Sequence, residues 1–332
     1  MPKATIIGTT SWGTALGGLL ASKGCQVHIW ARNEAEAAES SQKRNGHCNL
    51  SYISSPTEAL EDSSIIIWAV PAQSLRQNVR QFRNLIDPST ILISAAKGIE
   101  AHTGKRMTEV MAEELDPSSW PRIGVLSGPN LAREVAQGLP AVTIVAANEA
   151  RTALAARDML NTPDFHVFTS SDVIGVELCG ALKNVIALGA GIVDGMRLGD
   201  NAKGAFIALG WAEMVSVGIA CGAEESTFYG IAGLGDLFTT CASPLSRNHT
   251  VGCDLGRGKP LAEVIADTPN VAEGVDTTVG LMNMASTLKL NLPITNLIYR
   301  ILYEGLSPED GIAQFRKLVS LQPTVDRRLG ML

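Results

Sequence analysis

The chain has 332 residues, 27 Lys and Arg against 33 Asp and Glu, and a formal charge of −6 at pH 7; 45% of its residues are hydrophobic and 18% charged. That length supports about two domains and a full core without staples. A mildly acidic chain with scattered basic residues has no electrostatic footprint for a phosphate backbone, so small molecules, not nucleic acid, are the expected partners. The six cysteines (Cys25, Cys48, Cys179, Cys221, Cys241, Cys253) form no CxxC pair and have no His at ligand spacing, so neither a disulfide framework nor a metal site is expected. The opening MPKATIIG lacks the apolar core of a signal peptide, and Glu177, Lys183, Asp194 and Glu213 break the longest apolar stretches. The expectation is a soluble, cytoplasmic protein with no membrane span.

From Thr5 to about Thr169, short β-branched runs alternate with helical patterns. TIIG, VHIWA, SIIIWAV, TILISAA, IGVLS, VTIVAA and HVFTS read as about seven strands, and nearly continuous apolar strands imply burial on both faces of a parallel sheet. WGTALGGLLASKG, SLRQNVRQFRNLI, KRMTEVMAEEL and ARTALAARDML carry apolar residues at helical spacing between them. The pattern predicts a doubly wound α/β domain over residues 1–170.

After Ser170 long Ala, Leu and Gly-rich segments take over, and residues 171–332 read as a mostly α-helical domain. SSDVIGVELCGALKNVIALGAGIVDG is apolar on nearly every face after a Ser or Asp cap, so its helix must be central and buried.

In IIGTTSWGTALGG a Gly-rich turn joins the first strand to the first helix, where backbone N–H groups and the helix dipole suit a pyrophosphate. The dinucleotide pattern GxGxxG is met only by Gly8 and Gly13, because Thr10 replaces the middle glycine that lets phosphates approach the backbone. At the end of VHIWARN, where an acidic residue would hold a ribose 2′-hydroxyl, stands Arg32, which suits a 2′-phosphate and points to NADP with NAD also usable. The alternative is a solvated loop charge.

Lys183 lies inside the apolar helix with Glu177 and Asn184 as its polar company along the sequence. Desolvation should lower its pKa toward a value useful in proton transfer, unless the side chain snorkels to the surface. Three more segments bring polar groups into apolar surroundings: AAKGIE with Lys97, AGLGDL with Asp236, and SRNHT with Ser246, Arg247 and Asn248. Lys97 and Asp236 also fit ordinary loop positions, and Ser246 with Asn248 also fits a helix cap.

In their order, SWGTAL, AAKGIE, SGPNLAREV, GVELCGALKNVIALGAGIVDG, NAKGAF, GLGDL, SRN and VAEG resemble the bacterial-type NAD(P)-dependent glycerol-3-phosphate dehydrogenases over essentially the whole chain. The resemblance implies a Rossmann-like domain followed by a helical one, as in 6-phosphogluconate dehydrogenase, and reduction of dihydroxyacetone phosphate to sn-glycerol 3-phosphate for phospholipid synthesis. It implies Lys183 as the proton donor or acceptor at the carbon 2 oxygen and Lys97 as a contact to both substrate and cofactor. It further implies Gly128, Asn130, Asp236, Ser246, Arg247 and Asn248 as substrate contacts. Cofactor contacts would be Gly8, Thr10, Ser11, Trp12, Gly13, Arg32, Ala132, Arg247, Val271 and Glu273, and a homodimer is compatible with it. Thr10 and Asn130 depart from the family pattern, the second standing where SGPS or SGPT is common. Two other readings remain: a related two-domain dehydrogenase for another small substrate, which has no reason for the SRN segment, and a non-catalytic dinucleotide sensor, for which Thr10 leaves room.

Overall fold

The computed structural model describes residues 2–42, 47–267 and 271–320. Its first half is one sheet of β1 (Lys3–Ile7), β2 (Gln26–Trp30), β3 (Leu50–Ile53), β4 (Ile65–Trp68), β5 (Ile91–Ser94), β6 (Ile123–Ser127), β7 (Ala141–Ala147) and β8 (Phe165–Ser170), in the order β3-β2-β1-β4-β5-β6-β7-β8. Its helices are α1 (Ser11–Ser22), α2 (Glu34–Gln42), α3 (Pro56–Leu60), α4 (Leu75–Phe82), α5 (Met107–Glu114), α6 (Ala132–Ala136) and α7 (Ala150–Leu160). Strand β4 explains why such runs read as continuously apolar. Ile65 and Ile67 join the core under Leu16 and Leu20 of α1, while Ile66 and Trp68 join the opposite core with Val79 and Phe82 of α4.

Two features differ from the sequence reading. Strand β3 went unseen because it is a four-residue edge strand that buries only Leu50 and Ile53, too few apolar residues to register. The sheet is also not wholly parallel, since β6 and β7 pair antiparallel. The connection between them carries only the five-residue α6. At about 1.5 Å per residue such a helix cannot return the chain along the length of a strand, as a parallel crossover requires.

The second half is helical: α8 (Val173–Gly195), α9 (Asp200–Ala220), α10 (Glu225–Tyr229), α11 (Asp236–Ala242), α12 (Arg247–Gly256), α13 (Leu261–Asp267), α14 (Glu273–Leu288), α15 (Pro293–Tyr303) and α16 (Pro308–Ser320). Asp172 caps α8, accepting the Gly175 N–H at 2.8 Å. The charges in α8 and α9 do not shorten them as the sequence reading held: both are long and apolar enough to cross a bilayer. Helix α8, however, is enclosed by protein along almost its whole length, with Val125 of β6 packed against it, and is the core helix of this half.

What lets α12 lie directly on α8 is the absence of side chains. A Cβ on Gly191 would come within 2.1 Å of the His249 carbonyl oxygen, and one on Gly252 within 2.0 Å of the Leu188 carbonyl oxygen. Backbone touches backbone, and neither side can yield by rotating a side chain. This contact sets the start of α12, with Arg247 and Asn248, beside the turn of α8 that carries Lys183 and Asn184.

Gly252→Ala should therefore force the helices apart and lower stability by about 1–3 kcal/mol, the usual cost of overpacking, read from the urea midpoint. Gly204→Ala, at an exposed position of α9 with open space where the methyl would go, should be neutral or stabilising. Equal stability of the two variants would contradict the packing argument.

Candidate active site

The order β3-β2-β1-β4 places the topological switch point between β1 and β4, and ligands of open α/β sheets bind outside the strand ends at that crevice. The turn after β1 is shaped for close approach: Gly8 has φ +113°, which disfavours any side chain, and a Cβ on Gly13 would meet the Gly8 carbonyl oxygen at 2.3 Å. Thr10 has a structural task. Its hydroxyl caps α1 by accepting the Gly13 N–H at 3.0 Å, and it donates across the switch point to the Ala69 carbonyl at 2.7 Å. The Ser11 and Trp12 N–H groups stand in the first turn, where helical donors lack partners in the ladder. Trp12 packs with Ala132 against the same core, and its indole N–H is buried without a partner.

At the deep end of the crevice, the loop after β5 carries Lys97, the loop after β6 carries Gly128, and α8 carries Lys183. Lys97 and Lys183 converge on Asp236, which starts α11 after a wide π-type turn, Ile231–Gly235. Lys97 Nζ donates to Asp236 Oδ2 at 2.8 Å and to the Gly128 carbonyl at 2.7 Å. Lys183 Nζ donates to Asp236 Oδ1 and to Thr240 Oγ1, the latter at 2.7 Å, and Thr240 in turn donates to the Asp236 carbonyl. Asp236 is 1% exposed, so it is a buried counter-ion and not a loop residue. Burial pulls the Lys183 ammonium down to about 8, with Lys97 adding to the fall and Asp236 opposing it. Lys183 does not snorkel, and Glu177 is not its companion: six residues earlier on α8, Glu177 accepts from Arg106 and Thr108 and ties α8 to α5.

A line of amide bonds joins the remaining parts. Asn184 donates to the Lys97 carbonyl at 2.9 Å and accepts from Asn248, whose own oxygen accepts the Gly274 N–H. Each polar end of the Asn248 side chain thus makes one bond within the protein and keeps a second N–H or lone pair. Ser246 likewise caps α12 by accepting the His249 N–H at 3.3 Å. Arg247 is different: it is exposed and has no ion-pair partner among the described residues. Glu273 accepts the Ala72 N–H at 3.1 Å with one oxygen and leaves the other buried without a partner. Burial pushes its carboxyl up to about 7, opposed by the Ala72 N–H and by Arg247. Asn130 donates to the Val142 carbonyl at 2.9 Å and also leaves its oxygen buried and unpartnered. Val271 is exposed beside the start of α14.

Of the residues singled out from the sequence, Lys97, Gly128, Lys183, Asp236 and Asn248 are joined, through Asn184, into one hydrogen-bond network, while Arg32 stands apart at the end of β2, paired with Glu36. Sequence reading missed Thr240, although its spacing of four from Asp236 puts both on one helical face, and missed Glu36, four residues after Arg32. The unpartnered Trp12 N–H, Glu273 and Asn130 oxygens, with the Gly8 turn, fit a polar dinucleotide and a small polar substrate. Chemically the Asp236 cluster offers a lysine near its titration point beside a second ammonium, and the exposed Arg247 stands at the N-terminus of α12.

The N-terminal family model of NAD-dependent glycerol-3-phosphate dehydrogenase matches residues 3–153 and the C-terminal model residues 172–313. A glycerol-3-phosphate dehydrogenase [NAD(P)+] of Dehalococcoides mccartyi (strain BAV1) is 45% identical over 93% of this chain and 89% of its own. One from Streptomyces avermitilis is 42% identical over 98% of each. The crystal structure of glycerol-3-phosphate dehydrogenase from Coxiella burnetii superimposes with a TM-score of 0.89 at 32% identity, covering 95% of this chain and 98% of that one. The chain belongs to the NAD(P)-dependent glycerol-3-phosphate dehydrogenases and interconverts dihydroxyacetone phosphate and glycerol 3-phosphate with a nicotinamide dinucleotide.

Proposed function

We propose that Lys183 carries the proton of this reaction, that Lys97 and Arg247 hold the substrate, and that the cofactor of choice is NADP. The observation that carries the reading is the pairing of Lys183 and Lys97 on one buried Asp236, which leaves a net positive charge where an oxyanion must form. A nicotinamide dinucleotide, when bound, would supply a hydride for carbon 2 of dihydroxyacetone phosphate. Lys183, held by Asp236 and Thr240, gives its proton to the carbon 2 oxygen as the carbonyl becomes an alcohol, and in the oxidative direction takes it back. Arg247, Ser246, the Asn248 amide and the N-terminal N–H groups of α12 hold the substrate's phosphate end, and Ser246 and Asn248 also shape that helix start. The unpartnered Asn130 oxygen accepts from a substrate hydroxyl near Gly128.

For the dinucleotide, the Gly8–Gly13 turn with Ser11 and Trp12 takes the pyrophosphate, Ala132 and Trp12 form a wall, and Val271 and Glu273 close over it beside Lys97 and Arg247. Arg32 meets the 2′-phosphate. The division at residues 170 and 171, a homodimer and a cytoplasmic location belong to the same proposal, as does supply of phospholipid synthesis as the working direction. Thr10, the ground for a sensor reading, has its cap to explain it, and no observation favours either rival.

Lys183→Ala should cut kcat about 10²–10⁴-fold while leaving NADPH binding near normal. In the wild type, kcat for reduction should fall as pH rises through about 8, where the ammonium loses the proton it must give, and oxidation should rise over the same range. A lysine variant with near-normal kcat, hydride transfer being rate-limiting, sinks the assignment.

Arg247→Ala should chiefly raise the KM for dihydroxyacetone phosphate, by about tenfold or more. An unchanged KM would move the phosphate elsewhere.

Arg32→Gly should weaken NADPH about tenfold and leave NADH nearly unchanged; tenfold is at the low end for a charge-assisted bond because 78% of the side chain is exposed. Equal losses for both cofactors would show that Arg32 does not read the 2′-phosphate.

A further inference from the structure

Arg32 is not alone at the end of β2. One turn into α2, Glu36 folds back so that its carboxylate accepts from the Arg32 backbone N–H at 2.9 Å, from Arg32 Nε at 3.0 Å and from Arg32 Nη2 at 3.2 Å. It also accepts from the Thr9 hydroxyl at 2.6 Å, and Thr9 lies in the Gly-rich turn after β1. Strands β1 and β2 are neighbours, so this one carboxylate fastens together the two loops between which an adenosine ribose sits. Asn33 fixes the helix start from below by accepting the Glu36 N–H at 2.9 Å. Burial pushes the Glu36 carboxyl up, but the bonds from Arg32 and Thr9 outweigh it and hold the group below the usual carboxylate range.

A 2′-phosphate arriving there meets a fixed negative charge and a guanidinium with one edge already occupied in bidentate fashion. A 2′-hydroxyl meets an acceptor. Selectivity between two such ligands is a difference of affinities, and a repulsive element against one is as effective as an attraction to the other.

We propose that Glu36 is a cofactor-selecting residue of this enzyme: it competes with the 2′-phosphate for Arg32, accepts the 2′-hydroxyl of NAD, and so limits the preference for NADP. The proposal rests on the reading that Arg32 faces the 2′-phosphate. Arg32 alone argues for a strict NADP enzyme; the pair argues for one that uses both dinucleotides.

The test is Glu36→Gln in the full-length protein, with Kd for NADPH and NADH from nucleotide fluorescence and kcat/KM for each. NADPH should bind about five- to twentyfold more tightly and NADH equally or a few-fold more weakly, so that the NADPH/NADH ratio rises about tenfold or more. Thr9→Val, which removes one tether but keeps the charge, should leave the ratio within about twofold of wild type. Parallel weakening of both nucleotides by Glu36→Gln would make Glu36 a loop fastener only and overturn the proposal, as would a Thr9→Val ratio that rises as far as that of Glu36→Gln. Arg32→Gly separates the two levels. If it leaves the ratio unchanged, the reading of Arg32 fails; if it lowers the ratio while Glu36→Gln does not raise it, only the role of Glu36 fails.

Discussion

Asp236 holds two ammonium groups that arrive from opposite halves of the molecule, Lys97 on the loop after β5 and Lys183 within α8. Burying Asp236 and Lys183, with Lys97 half-buried beside them, is costly, and the arrangement persists only because each is bonded: Lys97 also reaches the Gly128 carbonyl, and Lys183 reaches Thr240. Two positive charges against one negative leave a surplus that the site cannot discharge internally. An oxyanion or a phosphate is the natural complement, and the same surplus, together with burial, brings Lys183 close to its titration point. Fold, charge and proton chemistry therefore meet at one carboxylate.

Everything around Asp236 serves to keep these groups in register. The glycines of α8 and α12 let two backbones touch, which fixes where α12 begins. Gly180 performs a similar service toward the sheet, since a Cβ there would stand 2.3 Å from Ser127 Oγ at the end of β6. The amide line from the Lys97 carbonyl through Asn184 and Asn248 to Gly274 then locks the loop after β5 to α8, α12 and α14. Glu273 extends it to Ala72, which follows β4. Holding reacting groups through rigid elements in this way is what makes a proton transfer geometrically reliable.

Much of this was legible before the structure, and the parts that were not share a cause. The alternation of strands and helices, the all-round apolar helix and the isolation of Lys183 follow from local composition, which a sequence displays directly. The partner of Lys183 does not: Asp236 lies 53 residues away, while nearby Glu177 points elsewhere on the helix and serves Arg106. Asn248, which the resemblance offers as a substrate contact, has a second task that the sequence does not display, since its amide also bonds Asn184 and Gly274 across the packed helices. Strand β3 and the reversal at β7 were hidden because a short edge strand and a short connecting helix carry little periodic signal. Glu36 was visible as an acid four residues after Arg32, but only the fold of the β2 end shows it turned back onto the Gly-rich turn.

The central claim, that Asp236 keeps Lys183, the proposed proton donor, protonated against burial and Lys97, is tested most directly by the pH–rate profile of Asp236→Asn for dihydroxyacetone phosphate reduction. With the carboxylate gone, Lys97 and burial act on Lys183 unopposed, and the descending limb should move from about 8 toward acid by about one to three pH units, with residual activity recovered at low pH. A limb that stays at about 8 in a slower enzyme would show that the titrating group is not the lysine that Asp236 holds.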